Sequence, residues 1–495
     1  MPINSSQIAI VAAEMTPYAK AGGLADVIGA LPAALAERGA QVSVILPGYK
    51  PALERLKTER IAQGRAVKVG SEPLGFGVLR ASGTGAVSIF LIENEKFFGR
   101  DGVYGEKGAD YPDNLARFIF FGRAAAQVLG DHVGPDVIHS HDWHASVLPI
   151  VIRADPALRG AFANTVSVFT IHNLAFQGIY PRTDYELLNL DPRWFSIDAL
   201  EFYGQMNLMK GAIMLSDAAS TVSPTYAREV TTGPELGFGL EGVLRARGDR
   251  FLGILNGADY NEWDPATDAF IAARYSPSDY SRHKAMCTRD LRKIADFPLV
   301  DRRPLVGMVT RMTPQKGFDL LSDALDAILA VDLQLVILGS GDPATEKRFK
   351  QAEQHYRDKL RVIIGFDNTV AHKVQAGCDM FLMPSRFEPC GLTQMYALKY
   401  GTVPVVRSTG GLADTVSEFD PRTGAGNGFV FARYEPDALV GALARAVGVF
   451  NRPDLWPQLL KNCFAADFSW NHAAERYLAL FDRLRRTPPS GPTPQ

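Results

Sequence analysis

Arg311 and Lys316 carry the strongest chemical signal in this sequence. They flank a loop that follows an apolar run, Leu305 to Thr310, and precedes a segment whose apolar residues Leu320, Leu321, Ala324, Leu325, Ile328 and Leu329 recur at helical spacing. Two fixed cations at such a strand-to-helix turn can neutralise the charge that builds on a departing diphosphate, a task that a metal ion performs in other enzymes. No Asp-x-Asp triplet is present, so the reading is of a metal-free site without a cofactor. Farther on, Glu388 lies in Pro384-Ser385-Arg386-Phe387-Glu388-Pro389-Cys390-Gly391-Leu392-Thr393-Gln394, again between a strand-like and a helix-like stretch. A carboxylate in a glycine-containing turn accepts hydrogen bonds from hydroxyls, and the amides beside it can face a phosphate. Cys390 itself reads as a packed thiol, because no histidine is close in sequence to activate it.

A second arrangement of the same kind stands near the N-terminus. Lys20-Ala21-Gly22-Gly23-Leu24-Ala25-Asp26-Val27 sits between the apolar run Ile8 to Ala13 and a helical pattern. Adjacent glycines let a ligand approach the backbone, a helix start offers unpaired N–H groups, and Lys20 adds a charge. A plain turn with a solvated lysine would give the same residues. Gly-Gly-Leu-Ala-Asp recurs at 410–414 after Ser408-Thr409. His139, His141 and His144 could be metal ligands by type, but they fall at a strand end and not on one helix face, so hydrogen bonding to a hydroxylated ligand is the better reading, with Trp143 offering an apolar face to a sugar ring. A core or capping role for any one of these histidines is equally open.

These residues need elements to hold them. Val42 to Leu46, Val87 to Ile92, Asp136 to His139, Val166 to Ile171, Ala218 to Val222 and Phe251 to Leu255 are expected strands, several nearly continuous in apolar residues, as in a parallel sheet covered on both faces. The second half repeats the pattern at Leu305 to Thr310, Leu333 to Leu338, Val362 to Ile364, Met380 to Met383, Val403 to Val406 and Gly428 to Phe431. Polar residues gather at strand ends, where ligands bind in open α/β sheets: His141 to His144, His172 with Asn173, and Asn256 with Gly257. The expectation is an α/β fold of two facing Rossmann-like domains over a deep cleft, with domains at 1–260 and 261–470. The Asp-, Tyr- and Arg-rich stretch Asn261 to Arg303 is placed as the connection, and the tail 487–495 as disordered.

Composition narrows the class. At 495 residues the chain exceeds what one core serves. With 46% hydrophobic and 21% charged residues and a net charge of -2, it carries no broad basic surface for nucleic acid or anionic lipid. Its 4 cysteines form no C-x-x-C pair, which fits a reducing cytoplasm. No apolar span reaches the roughly 18 residues of a membrane helix.

Taken in order and spacing, these motifs resemble the bacterial glycogen synthases and plant starch synthases. The resemblance runs from Lys20-Ala21-Gly22-Gly23-Leu24 through His141-Asp142-Trp143-His144, Thr170-Ile171-His172-Asn173, Asn256-Gly257, Arg311 to Gly317 and Ser385 to Gln394 to Thr409-Gly410-Gly411-Leu412. It implies a GT-B fold and transfer of glucose from ADP-glucose to the non-reducing end of an α-1,4-glucan with retention. It also implies roles. Lys20, Gly22, Gly23 and Asp26 would contact ADP-glucose from the first domain, with Asp142, Asn173 and Asn256 in the donor pocket and His172 beside the reacting carbon. Arg311 and Lys316 would clamp the diphosphate, Glu388 would orient the donor glucose, and Cys390, Gly391, Leu392, Thr409, Gly410 and Gly411 would offer backbone contacts. Tyr104, Tyr111 and Trp143 are weaker acceptor candidates, and the helix at 471–486 would pack back on the first domain. Domain closure would bring Lys20 to the donor.

Two departures stand out: Ala21 replaces the Thr of many relatives, and Tyr396 stands where broader relatives carry a second glutamate. The alternatives left open are a retaining UDP-glucose transferase, a catalytically silent glucan-binding relative and a pyridoxal-phosphate phosphorylase.

Overall fold

A computed structural model describes residues 6–83, 86–106 and 108–486, so the tail read as disordered lies outside the described residues. The chain divides into two compact units: the described residues up to Gly257 together with those from Trp470 onward, and Ala258–Ser469.

The first unit is built on a sheet that has nine strands among the described residues. In chain order these are β1 (Gln7–Val11), β2 (Gln41–Pro47), β3 (Glu59–Val69), β4 (Glu72–Ser82), β5 (Val87–Glu93), β6 (Val137–His141), β7 (Val166–Ile171), β11 (Ala218–Thr221) and β12 (Phe251–Gly253). Their spatial order is β12-β11-β7-β6-β1-β2-β5-β4-β3. All neighbours pair in parallel except β4 with β5 and β3 with β4, which close one edge as an antiparallel hairpin. The central strands β6 and β7 are buried at every position, the burial that their continuous apolar character predicts. A separate antiparallel sheet, β8 (Ile179–Pro181), β9 (Glu201–Phe202) and β10 (Gln205–Asn207) in the order β8-β10-β9, lies in the long connection after β7.

Helix Gly23–Ala36 starts directly after the glycine loop and buries Leu24, Val27, Ile28, Leu31 and Leu35 against the sheet. The terminal helix Trp470–Arg486 packs on this unit through Tyr477 and Phe481, whose rings lie 4.9 and 5.5 Å from that of His139. Arg38 fastens it from the outside, donating to Asn471 at 3.1 Å and Glu475 at 3.2 Å. Where the chain re-enters, a Cβ on Gly257 would lie 2.5 Å from the Cα of Trp470, so only glycine fits.

The second unit has a parallel sheet, six-stranded among the described residues: β13 (Leu305–Val309), β14 (Gln334–Gly339), β15 (Leu360–Ile364), β16 (Met380–Met383), β17 (Val403–Arg407) and β18 (Phe429–Phe431), in the order β15-β14-β13-β16-β17-β18. The stretch from Asn261 to Arg303 is not a connector but part of this unit. It contains the helix Tyr280–Ile294, whose Cys287 and Leu291 are buried. The Lys284 ammonium, also buried, donates to Ala376 O at 3.0 Å and Thr402 Oγ1 at 2.7 Å, and Tyr275 donates to Tyr400 O at 2.9 Å. Polar anchors of this kind leave no apolar periodicity, which is why the stretch reads as a linker in sequence.

Candidate active site

In each main sheet the strand order runs outward in two directions from one gap, between β1 and β6 in the first unit and between β13 and β16 in the second. Ligands of open α/β sheets bind beyond the carboxyl ends of the strands at such a switch point. Lys20 to Asp26, Asp142, Arg311 with Lys316, and Glu388 to Leu392 lie after these four strands, whereas His172 and Asn173 follow β7, Asn256 follows β12 and Thr409 to Gly411 follow β17.

In the second unit the loops after β13 and β16 are pressed together. Gly317 has φ +82° and a Cβ there would lie 2.1 Å from Pro384 O, so the Arg311–Gly317 loop can touch the next one only through glycine. This brings Lys316 Nζ to 2.6 Å from Glu388 Oε2, which also accepts from Ser385 Oγ at 3.1 Å. Both partners are largely withdrawn from water, at 18% and 6% side-chain exposure. Arg311 is exposed and has no ion pair among the described residues. A third loop closes on the same turn: Cβ atoms on Gly410 and Gly411 would lie 1.9 Å from Glu388 O and 2.1 Å from Cys390 O. Gly411 N donates to Glu388 O at 3.1 Å, so that amide is engaged within the fold and not held open for a phosphate. Gly391 has φ +71° beneath the Gln394 side chain, which donates to Cys390 O and Gly391 O at 3.1 and 3.0 Å. Leu392 leads into the helix Thr393–Lys399, while Thr409 and Cys390 are buried. Tyr396 is stacked on Trp263, ring centroids 4.4 Å apart and nearly coplanar, and offers no carboxylate there.

In the first unit the β1 loop has a different organisation. Glu14, buried at the end of β1, accepts from the amides of Ala21 and Gly22 at 2.6 and 2.7 Å and from the Tyr104 hydroxyl at 2.6 Å. Two of the amides that a phosphate cradle would use are therefore taken by a carboxylate. Burial raises the Glu14 pKa, against the hydrogen bonds that favour its charged form. Lys20 pairs with Asp26 at 2.6 Å in a half-exposed bridge. What stays open is space: a Cβ on Gly22 or Gly23 would meet nothing within 4 Å.

Beside it, the β6 loop places Asp142 at φ +56°, with Oδ1 accepting from His172 N at 2.7 Å. Burial raises the Asp142 carboxyl to about 7. His172 Nε2 and His141 Nδ1 share a hydrogen bond of 2.9 Å. Desolvation lowers His172 to about 3 and His141 well below its ordinary value, so both rings are neutral near pH 7. Asn173 turns the chain after β7, its Oδ1 accepting from Ala175 N at 3.1 Å, and Asn256 is buried with Oδ1 unpartnered.

The open sugar face expected of Trp143 is corrected, and His139 takes the core role that the sequence left open. His139 is a core residue, bonded to Thr170 Oγ1 at 2.6 Å and lowered to about 3 by burial. His144 is stacked on Tyr104 with centroids 4.2 Å apart. Trp143 does not present an open face: it is 8% exposed and packed against Phe118, His144 and Tyr180. Tyr111 lies between the guanidinium groups of Arg100 and Arg117, 4.6 and 4.8 Å from its centroid. Among the described residues no group of three or more His, Cys, Asp or Glu side chains is arranged to hold a metal. Glu14 is the residue that sequence reasoning missed. A lone acid closing an otherwise apolar strand was its only signal.

Comparison with known proteins agrees with this layout. Residues 7–246 match the starch synthase catalytic domain and residues 291–448 the group 1 glycosyl transferases. The chain is 45% identical to a glycogen synthase of Anaeromyxobacter dehalogenans over 97% of its own length and 99% of the relative's, and 42% identical to glycogen synthase 2 of Geobacter sulfurreducens over 96% and 98%. Among solved structures, the catalytic domain of Arabidopsis thaliana starch synthase IV superposes with a TM-score of 0.89 at 34% identity, covering 98% of this chain and 100% of that one. The sucrose-phosphate synthase of Thermosynechococcus elongatus shares the fold alone, with a TM-score of 0.59 at 18% identity over 96% of this chain and 98% of that one. The chain belongs to the glycogen and starch synthase family, hexosyltransferases of two Rossmann-like units.

Proposed function

We propose that this protein is a cytoplasmic glycogen synthase that moves glucose from ADP-glucose to the non-reducing end of an α-1,4-glucan with retention of configuration, releasing ADP. The observation that carries the reading is the Lys316–Glu388 pair at the switch point of the second unit, with Arg311 exposed on the same loop. A cation fixed by a buried carboxylate is already oriented before charge develops, so it stabilises a leaving diphosphate without reorganising. The starch synthase IV structure to which the chain is similar is described as bound to ADP and acarbose, which supports a nucleotide donor and an oligosaccharide acceptor.

In this mechanism Glu388 holds Lys316 and accepts from donor hydroxyls, while Arg311 and Lys316 take up the charge of the departing ADP. The acceptor hydroxyl attacks the face from which the diphosphate leaves, and a leaving phosphate oxygen receives its proton. His172, neutral, serves as a hydrogen-bonding group beside the reacting carbon. Asp142, raised to about 7, is half-ionised near neutrality and makes the rate depend on pH there. Lys20, Gly22, Gly23 and Asp26 are further donor contacts in this reading. Among the described residues no helix is long and apolar enough to cross a membrane.

The test is a coupled assay of nucleotide release with glycogen as acceptor, run with ADP-glucose and with UDP-glucose. Faster ADP release with elongation of the glucan is expected. Preferential UDP release, or nucleotide release without elongation, overturns the proposal.

A further inference from the structure

We infer that the small sheet β8-β10-β9, with the adjoining Phe238, is an aromatic platform that binds the acceptor glucan away from its reacting end. The inference deepens the proposed function and rests on it for the identity of the polymer.

The platform is exposed, apolar and strained. Tyr203 is 82% exposed, Ile197 73%, Phe176 55% and Ile179 41%. Tyr203 and Phe238 have φ of +50° and +49°, a left-handed conformation that bulky side chains adopt at a cost. The two strained segments meet, since a Cβ on Gly239 would lie 2.8 Å from the Phe202 ring and 3.5 Å from that of Tyr203. An exposed tyrosine held in an unfavourable backbone at a hairpin tip contributes nothing to the core.

Beneath the rings lies a buried polar frame. Lys210, 5% exposed, donates to Ile197 O at 2.6 Å and to Glu201 O. Asn207, fully buried, accepts from Lys210 N at 2.9 Å and donates to Gln177 Oε1 at 2.5 Å, and Gln177 in turn donates to Phe238 O at 3.1 Å. The three chain segments that carry the exposed side chains are therefore fixed to one another by groups that do not reach solvent. Such preorganisation lowers the ordering cost of binding.

The occupant follows from chemistry and continuity. Hexose rings present apolar C–H faces with hydroxyl edges and no charge, which suits isolated exposed aromatics set among polar side chains. The platform joins the candidate site directly: Tyr180 of β8 packs on Trp143 at 6.0 Å, Gly178 leaves no room for a Cβ against the Trp143 ring (2.6 Å), and Phe176 N donates to Asn173 O at 3.2 Å. A second copy of the chain fits less well. The apolar residues are interrupted by exposed Arg182, Asp198 and Gln205, and a stable protein pair buries about 800 Å² per partner.

The experiment uses the full chain with Tyr203→Ala, Tyr203→Gly and Phe176→Ala. Glycine accepts the positive φ, so Tyr203→Gly removes the ring without backbone strain. Glycogen binding is read by affinity electrophoresis, and initial rates are measured with ADP-glucose on glycogen and on maltotriose. Each variant is expected to weaken glycogen binding roughly fivefold, the scale of one lost aromatic contact, and to raise KM for glycogen alike, with KM for ADP-glucose and the maltotriose rate unchanged. Unchanged glycogen affinity in Tyr203→Gly and Phe176→Ala overturns the inference, as does equal loss on both acceptors. A change of oligomeric state in light scattering also overturns it and assigns the surface to a second copy. Glycogen binding by the wild type without glucosyl transfer would sink the proposed function and leave the platform standing.

Discussion

A loop at the first switch point and a loop beside the second share a sequence and differ in what it does. Gly-Gly-Leu-Ala-Asp occurs at 22–26 and again at 410–414. At Gly410 and Gly411 the missing side chains are required by the protein itself, because Glu388 O and Cys390 O occupy the space. At Gly22 and Gly23 nothing occupies it. The surroundings differ in charge as well: the second unit presents Lys316 and Arg311 around one buried carboxylate, whereas the first presents neutral histidines, a buried Glu14 and a carboxyl near 7 at Asp142. The same five residues thus serve packing in one unit and open space in the other. The second unit's loops are marked by fixed cations and the first unit's by buried, largely desolvated groups beside the one Lys20–Asp26 pair.

The sharpest way to break this division is Lys316→Ala. With Glu388 left buried and unpaired, kcat is expected to fall roughly 10²- to 10³-fold while donor affinity changes far less. Equal losses in kcat and in ADP binding by calorimetry would show that Lys316 acts on the ground state and would remove its claim to the transition state.

A smaller effect separates the units by pH. His139, His141, His144 and His172 are all lowered by burial, with His172 at about 3 against an ordinary 6.5. Between those values the unfolded chain binds protons that the folded chain refuses, so stability is lost as pH falls below about 6.5, at about 1.4 kcal/mol per pH unit for each group. Glu14 and Asp142 are raised, take up protons in the folded state first, and so offset part of the loss. The histidines outnumber them. Amide exchange at pH 5.5 against pH 7 should show protection falling in the first unit. Uniform loss across both units would refute the assignment. The loops after β13 and β16 contain no histidine.

Much of this was legible in the sequence because burial on both faces writes strands as apolar runs. That is how Ile8, Val166, Leu305 and Leu333 identify their strands, while the pairing of Lys316 with Glu388 across two loops is seen only in the fold. Other features leave no such trace. The β3–β4 hairpin is half-exposed, so its alternation is weak. The strands of the small sheet have two or three residues each, below any periodicity. His139 and His172 are the same residue type, and the contact that ties His139 into the core, Thr170 Oγ1 at 2.6 Å, is not written in the sequence. The task of Glu14 depends on Tyr104, 90 residues away, and on backbone amides that no sequence pattern displays.

The glycine pair itself supplies the last and smallest test. Gly411→Ala puts a methyl group 2.1 Å from Cys390 O, where backbone must shift, and overpacking of that kind costs about 1–3 kcal/mol. Its thermal midpoint should drop and activity should fall with it. Gly23→Ala has the opposite sign for stability. Gly23 is the first residue of the helix Gly23–Ala36, its neighbourhood is empty, and alanine there relieves the conformational freedom of glycine by about 0.4–1 kcal/mol. The midpoint should rise slightly or stay, while KM for ADP-glucose rises if the donor fills the open space above the loop. A stabilised Gly23→Ala with unaltered donor kinetics would mean that the space holds only water. The first copy of Gly-Gly-Leu-Ala-Asp would then be an ordinary helix start.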